Sequence, residues 1–412
     1  MSSTTFCIDS SITGTEKHLL CKESGFVWLA SVPPNTWHMS GNIKTESDWC
    51  LDTLFRLSGE TIDVSPPVRF VNSIEKFVDD SIVLPWRYLM PPATHRAFIK
   101  NVVDSVAVAI DKLPTSYYRG CWVPGNGVIR SLKPVKVDVV RWKAIIDADV
   151  PTVGTVKTFR PDQRGFAGKI TYDRFGALTG RLTVTSGPNI MTLKKEYRDI
   201  MTPSTPGGCI MCLDFAALEA RVLLYEAGKR CEDHDLYGMI ARELGKGVSR
   251  KAAKAAVISE LYGSSKDALG KVLGLSGKEL NVFIKQVKTY FNTVELLKRI
   301  KKQFVETGKI VNRYGRHVVI DEPLDHIMIN YYAQSTGADV ALLGFSKIVN
   351  ELSVNAPDVR PLFLLHDGLF LDVPEEHIET VMKIDNVSID GYVQRFILKA
   401  EKLNCTQVPP GV

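Results

Sequence analysis

The chain has 412 residues, of which 45% are hydrophobic and 24% charged, and its formal charge is +5. That balance describes a globular protein of more than one domain or one multi-lobed unit, and it excludes disordered, collagen-like and small disulfide-scaffold chains. The mild positive charge permits a polyanionic partner without requiring one, so any case for nucleic acid rests on where the basic residues sit.

The opening segment, MSSTTFCIDSSITGTEKHLL, has neither the basic flank and apolar block of a signal peptide nor the arginines of a transit peptide. No uncharged apolar run approaches the roughly 20 residues of a membrane span. A protein without a membrane partner, acting in the cytoplasm (a host's, for a virus), is therefore expected. Residues 1–89 form short mixed segments punctuated by Pro33-Pro34 and Pro66-Pro67, and no motif assigns them a role. The eight cysteines show no framework spacing, so reduced thiols are expected. Cys209 and Cys212 form a C-x-x-C with no second pair to complete a zinc site, and they lie in an apolar run, CIMCLDF, that reads as a buried strand.

Apolar spacing of three and four predicts helices near 94–113 and 136–147, with GCWVPGNGVIRSLKP between them as loop or short strand. Alternation around 170–172 is followed by a polar, glycine-bearing stretch. A strand over 209–213 runs into Asp214 and is soon followed by a helix. Residues 235–313 are mostly helical in pattern, and another helix starts near His326. The segment PLFLLHDGLFLDVP then reads as an apolar hairpin with Asp367-Gly368 at its tip, since both residues tolerate a tight turn. A charged C-terminal tail follows.

Two of these segments carry chemistry. Asp214 ends an apolar strand and Asp367 sits at an apolar hairpin tip. Each alone reads as a cap or a turn residue, but two carboxylates on neighbouring buried strands can hold a pair of Mg²⁺ ions for phosphoryl transfer. In SRKAAKAAVISELYG, residues Arg250, Lys254, Ile258 and Tyr262 recur every four positions and share one helix face. Ser249 is the expected N-cap and Gly263 the expected exit. The cations at the helix start suit a triphosphate, and the tyrosine at its end offers a flat surface to a base.

Arg250-x₃-Lys254-x₇-Tyr262-Gly263 resembles the fingers helix of family A DNA polymerases, the group of bacterial DNA polymerase I and phage replicases. Asp214-Phe-Ala-Ala-Leu-Glu219-Ala-Arg221 resembles that family's motif A, and His366-Asp367 its motif C. TGRLTVTSGPNI (179–190) and NYYAQSTGADV (330–340) are similar to two further family segments, in the family's order.

The resemblance implies an α+β right-hand fold with an antiparallel palm sheet and helical fingers and thumb. The expected division is thumb at 90–135, palm at 136–225 and 313–412, and fingers at 226–312. It implies template-directed DNA synthesis on a primer 3′-hydroxyl from dNTPs, with two Mg²⁺ ions (Mn²⁺ as a substitute) held by Asp214, Asp367 and the Phe215 carbonyl. Arg250 and Lys254 would grip the triphosphate, with Lys254 as proton donor to pyrophosphate and Tyr237 as a further contact. Tyr262 and Gly263 would sit at the templating position, and Glu219 would exclude a ribose hydroxyl. Arg181, Asn330 and Gln334 would contact the minor groove, while Asn189 and His366 would position template and primer.

Four departures mark a divergent, virus-like member: Ile258 where an aromatic is usual, Gly368 where Glu follows His-Asp, Tyr237 where His is frequent, and His326 where Arg is frequent. Residues 1–135 offer no Asp-x-Glu strand for a proofreading exonuclease, so proofreading, a clamp and a helicase are left to separate proteins. The rival readings are a single-subunit RNA polymerase, which Glu219 opposes, and a non-catalytic nucleic-acid-binding accessory protein.

Overall fold

The computed structural model describes residues 5–23, 25–34, 36–40, 49–60, 85–148, 153–231, 233–245, 247–263 and 265–406. The chain forms two compact units, 1–118 and 119–412. The expected thumb span, 90–135, is divided between them, and Pro66-Pro67 lies outside the described residues.

In the first unit, β1 (Phe6–Ile8), β2 (His18–Lys22), β3 (Gly25–Leu29), β4 (Trp37–Ser40) and β5 (Trp49–Cys50) make one sheet in the order β3-β2-β1-β4-β5. Strands β1, β2 and β3 pair antiparallel, whereas β4 runs parallel to β1 and β5 parallel to β4. Helix α1 (Leu51–Ser58) buries Leu54 and Phe55, and α2 (Pro92–Asp111) buries Ile99, Val102 and Val106 at the spacing that predicted it. Pro92 opens α2 where a missing N–H costs nothing.

The second unit begins with a correction. The stretch read as loop or short strand contains the helix α3 (Val123–Ser131). Its glycines and proline mask the pattern, yet Pro124 occupies the first turn, where proline is tolerated. The buried Arg174 guanidinium donates to the Trp122 carbonyl at 2.6 Å and stacks over the Trp122 ring at 4.1 Å, anchoring the entry to α3. Helix α4 (Val139–Asp147) follows, capped by Asp138.

The central sheet consists of β6 (Cys209–Phe215), β7 (Arg360–Leu365), β8 (Gly368–Val373), β9 (Asn386–Ser388) and β10 (Arg395–Cys405). Its order is β7-β8-β6-β10-β9, antiparallel throughout. Between β6 and β7 lie α5 (Leu218–Glu226), α6 (Leu236–Leu244), α7 (Arg250–Tyr262), α8 (Lys266–Leu273), α9 (Gly277–Tyr290), α10 (Thr293–Thr307) and α11 (Asp325–Asn355). Both faces of β6 are covered, which is why it reads as a continuous apolar run. Ile210 and Cys212 pack on a cluster with Val137, Phe159, Ile200 and Phe370. Phe215, on the other face, meets Phe345 of α11 at 5.2 Å and Phe396 at 6.4 Å.

Two further expectations are corrected here. The charged tail is strand β10, hydrogen-bonded along β6; it reads as polar because Lys399 and Glu401 project from it near Asp214. Two cysteines are also paired, since Cys209 and Cys405 form a disulfide. They are cross-strand partners with Cα atoms 4.1 Å apart but 196 residues apart in sequence, so no spacing announces the pair. Cys7, Cys21, Cys121, Cys212 and Cys231 are free and buried.

Candidate active site

The site starts from a register. Strand β6 pairs with β8 so that Asp214 stands opposite Gly368, one residue after Asp367, and the Phe215 N–H donates to the Asp367 carbonyl at 3.1 Å. The two carboxylates therefore lie at the same end of the sheet, near enough for the Asp367 charge to act on Asp214. Leu365 pairs with Gly368, so the two-residue turn is His366-Asp367 and not Asp367-Gly368 as the dipeptide suggested. His366 takes the left-handed conformation, φ +55°, at the position where such turns usually require glycine. Ala217, which turns the chain from β6 into α5, has φ +55° as well. Backbone of this kind costs of order 1–3 kcal/mol for a non-glycine residue and persists only where the surroundings over-determine it. Both strained residues flank the carboxylates.

Gly368 has a steric reason to be glycine. A Cβ there would lie 3.1 Å from Cys212 Sγ, 3.3 Å from Asp214 Oδ1 and 3.3 Å from the Leu365 carbonyl. A glutamate at this position would crowd the aspartate beside it.

The electrostatics follow from this crowding. The Asp214 pKa is raised to about 7, first by burial of its inner side, then by the charges of Asp367 and Glu401, with Lys399 opposing. Asp367 is also raised, by burial first and by the Glu219 charge, with His366 and Arg181 opposing. Lys399 is the in-register partner of Asp214 on β10, and Glu401 follows two residues on. Sequence reading passed over both. Their only signal is the alternation of Leu398, Lys399, Ala400 and Glu401, which belongs to no motif.

A third missed residue is Tyr172. Its hydroxyl donates to the Leu364 carbonyl at 2.7 Å and accepts from the Leu364 N–H at 3.0 Å. Strand β7 is an edge strand, so this one hydroxyl satisfies backbone groups that no further strand would pair. It steadies β7 two residues before His366.

A cleft of about 110 Å³ brings together Arg181, Glu219, Gln334, His366 and Asp367. Glu219, on α5, accepts short hydrogen bonds from the Arg181 guanidinium and from the Tyr262 hydroxyl. Burial and the Glu219 carboxylate push the Tyr262 hydroxyl up to about 12. The end of α7 is thereby tied to the carboxylate cleft.

Helix α7 presents the predicted face. Arg250, Lys254, Ile258 and Tyr262 are exposed, while Ala253, Ala256, Val257 and Leu261 are buried. Ser249 caps the helix, its hydroxyl accepting the Ala252 N–H at 3.1 Å, and Gly263 at φ +73° ends it. Arg250 Nε donates to Asp235 at 2.7 Å. The Tyr237 ring lies 5.9 Å from the Arg250 guanidinium and 5.8 Å from Lys254 Nζ, so it stands beside both cations.

Other predicted residues hold positions of their own. Asn330 is nearly buried and donates to the Leu261 carbonyl at 2.9 Å, linking α11 to the last turn of α7. Asn189 precedes the helical turn Ile190–Thr192, its N–H donating to Thr158 Oγ1 at 3.0 Å, and it does not line the cleft. Arg221 is fully buried and donates to the carbonyls of Ala216, Cys231 and Asp233 at 2.8, 3.0 and 2.6 Å, which makes it a staple.

Comparison with known proteins places this geometry in a family. The family model for DNA polymerase family A matches residues 152–398. The chain is similar to DNA polymerase I of Pseudomonas aeruginosa, 24% identical over 241 residues (51% of this chain, 26% of that protein). It is 27% identical over 236 residues to DNA polymerase I of Aquifex aeolicus (52% and 40%), and 24% identical over 257 residues to the thermostable DNA polymerase I of Thermus aquaticus (53% and 30%). The matches thus span well under half the length of these relatives.

Among solved structures, the POL domain of Pol1 from M. smegmatis, complexed with DNA primer-template and dNTP, superposes with a TM-score of 0.63 at 12% identity. That superposition covers 98% of this chain and 96% of that one, and the fold is the right-hand α+β fold of that domain. The family match takes in both carboxylate-bearing strands and the helices between them, more than half of all residues, and the chain belongs to DNA polymerase family A.

Proposed function

We propose that the chain is a template-directed DNA polymerase that adds deoxynucleotides to a primer 3′-hydroxyl and leaves proofreading to another protein. The observation that carries this reading is the β6–β8 register, which brings Asp214 and Asp367 to one end of the sheet, with Asp367 lining a cleft that Glu219 and Tyr262 join to the α7 face of Arg250 and Lys254. Palm at 136–225 and 313–412, fingers at 226–312 and thumb at 90–135 are part of the same proposal.

Two carboxylates raised by burial and neighbouring negative charge are a poor arrangement without a cation and a good one for a hard divalent ion such as Mg²⁺ or Mn²⁺. Asp214, Asp367 and the Phe215 carbonyl would hold the ions. When bound, they neutralise charge developing on the attacking and leaving oxygens.

The protein's own residues do the rest. Arg250 and Lys254 bind the incoming triphosphate in the first turns of α7, and Tyr237 confines it from the side. Lys254 gives a proton to the departing pyrophosphate. Glu219 closes the space beside the sugar, held there by Arg181 and Tyr262. Tyr262 and Gly263 lie at the templating base. Arg181 and Gln334 contact minor-groove acceptors, which correct pairs present alike, whereas Asn330, expected to do the same, is buried with its amide on the Leu261 carbonyl. Asn189 and His366 position template and primer.

Primer extension with dNTPs against NTPs tests the reading, and robust primer-independent RNA synthesis would favour the RNA polymerase alternative. In Glu219→Ala, discrimination against ribonucleotides should fall by about 10- to 200-fold, the range set by one lost steric contact. Because Tyr262 loses its acceptor in the same variant, dNTP turnover should fall too, and single-nucleotide kinetics separate the two effects. Lys254→Ala should lower kcat by about 10²–10⁴-fold, as loss of a general acid does. Arg250→Ala should act mainly on the dNTP KM. A Lys254→Ala defect confined to KM would remove the proton-donor role.

A further inference from the structure

We propose that the first unit carries a transition-metal site, built from Asp9, His18 and His38 and suited to Zn²⁺. It is separate in sequence and in ligand chemistry from the carboxylates of the polymerase cleft.

The strand registers create it. Cys7 of β1 pairs with Leu20 of β2 and with His38 of β4. Ile8 pairs with Leu19, so Asp9, the next residue along, comes opposite His18. By strand alternation, Asp9, His18 and His38 therefore project from one face of the sheet, around the central strand. Their donor atoms all lie within 4.8 Å of one another. Asp9 Oδ2 is 2.9 Å from His38 Nε2 and 3.5 Å from His18 Nδ1. Asp9 Oδ1 accepts the Ser11 N–H at 2.8 Å, which fixes the carboxylate so that its other oxygen faces both imidazoles. His18 Nδ1 accepts the Ser10 N–H in a long hydrogen bond of 3.3 Å, so it is unprotonated, and a metal ion would take its single lone pair in place of that bond. All three residues are half-buried.

The donor set selects the ion. Ligands about 2.0–2.1 Å from a tetrahedral Zn²⁺ stand roughly 3.3 Å from one another, a spacing these atoms reach by small side-chain shifts. Two imidazoles and one carboxylate suit Zn²⁺ and its neighbours in the first transition row, whereas Mg²⁺ takes all-oxygen sites. Three protein ligands leave a fourth position open to water or to a donor from a ligand. The ion would tie β1, β2 and β4 together in a sheet whose strands are two to five residues long.

The experiment uses the full chain, stripped with a chelator and titrated with Co²⁺ as a visible-absorption probe, then with Zn²⁺ as competitor. An Asp214→Ala/Asp367→Ala background silences the polymerase carboxylates. In that background about one equivalent of Co²⁺ should bind with the intense bands of a four-coordinate site, and Zn²⁺ should displace it. His38→Ala should weaken binding by more than the roughly 10- to 100-fold that loss of a second-shell partner costs. His18→Gln should do the same, and it decides the matter if His38→Ala lowers the metal-free melting temperature. The proposal is overturned if no Co²⁺ is retained in the double-aspartate background, which would make the three side chains a hydrogen-bonded cluster only. Equal affinity in both histidine variants would overturn it as well.

Discussion

Primer extension in Asp214→Ala or Asp367→Ala should fall by about 10³-fold or more, because the proposed ion site, which would supply several kcal/mol to the transition state, would be dismantled. Duplex binding should stay near the parent level, since phosphate contacts from scattered Lys and Arg carry sequence-neutral affinity. A filter-binding or anisotropy titration beside a single-turnover assay separates the two readings. Extension at the parent rate in either variant would remove the carboxylate assignment.

The register also predicts an opposite effect on stability. With no divalent ion present, Asp214→Asn removes a charge that the folded protein holds at a disadvantage, since burial and the charges of Asp367 and Glu401 raise its pKa to about 7. Above about pH 7 the gain should be about 1 kcal/mol, a discounted figure because the open side of Asp214 meets water, and it should vanish at acidic pH where the carboxyl is protonated in both the folded and the unfolded chain. Mg²⁺ should raise the melting temperature of the parent and leave that of Asp214→Asn nearly unmoved.

The largest stability loss is expected at Asp339, a residue that does no chemistry. Its carboxylate is 1% exposed and meets Arg316 in a fork, Nε to Oδ2 at 3.1 Å and Nη2 to Oδ1 at 2.9 Å. Asn312 Nδ2 adds a bond at 2.8 Å, and Arg174, itself buried, lies 3.7 Å away. Asp339→Ala removes an anion that two buried guanidinium groups share. Removing one partner of a buried ion cluster costs about 3–5 kcal/mol. Urea unfolding should show the midpoint of the 119–412 unit falling sharply. Arg316→Met should cost less, because Asp339 keeps the buried Arg174 guanidinium 3.7 Å away as a counter-ion. An unchanged midpoint in Asp339→Ala would show that the cluster contributes nothing net. The same helix, α11, carries Gln334 into the cleft, so a folded but loosened Asp339 variant should also lose extension rate.

How legible the site was in the sequence varies from residue to residue, for physical reasons. Helix α7 could be read almost completely. Its fourfold spacing, its serine cap and its glycine exit are local properties, and the burial of Ala253, Ala256 and Val257 opposite Arg250 and Lys254 follows from a period of 3.6 residues. The apolar runs that became β6, β7 and β8 were equally plain. The turn was not. Asp-Gly is a strong local signal, yet pairing of β8 with β6 pulled Gly368 into the sheet and left His366 to take the left-handed position. A tertiary register overrode a local preference. Helix α3 was hidden for a similar reason: its glycines lower its own propensity, and packing and the Arg174 anchor at its entry compensate.

By itself, the sequence determined the apolar strands, the amphipathic helices and the identity of the carboxylates and cations, because each of these is written within a few neighbouring residues. Only the tertiary structure decided which of them meet. Lys399 and Glu401 stand near Asp214, Cys405 bonds Cys209, Tyr172 braces β7, and Asp9 faces two histidines, all through strand pairings between segments distant in the chain. Side-chain proximity across a sheet is set by register. Register is chosen by the burial of whole faces, and so no single segment records it.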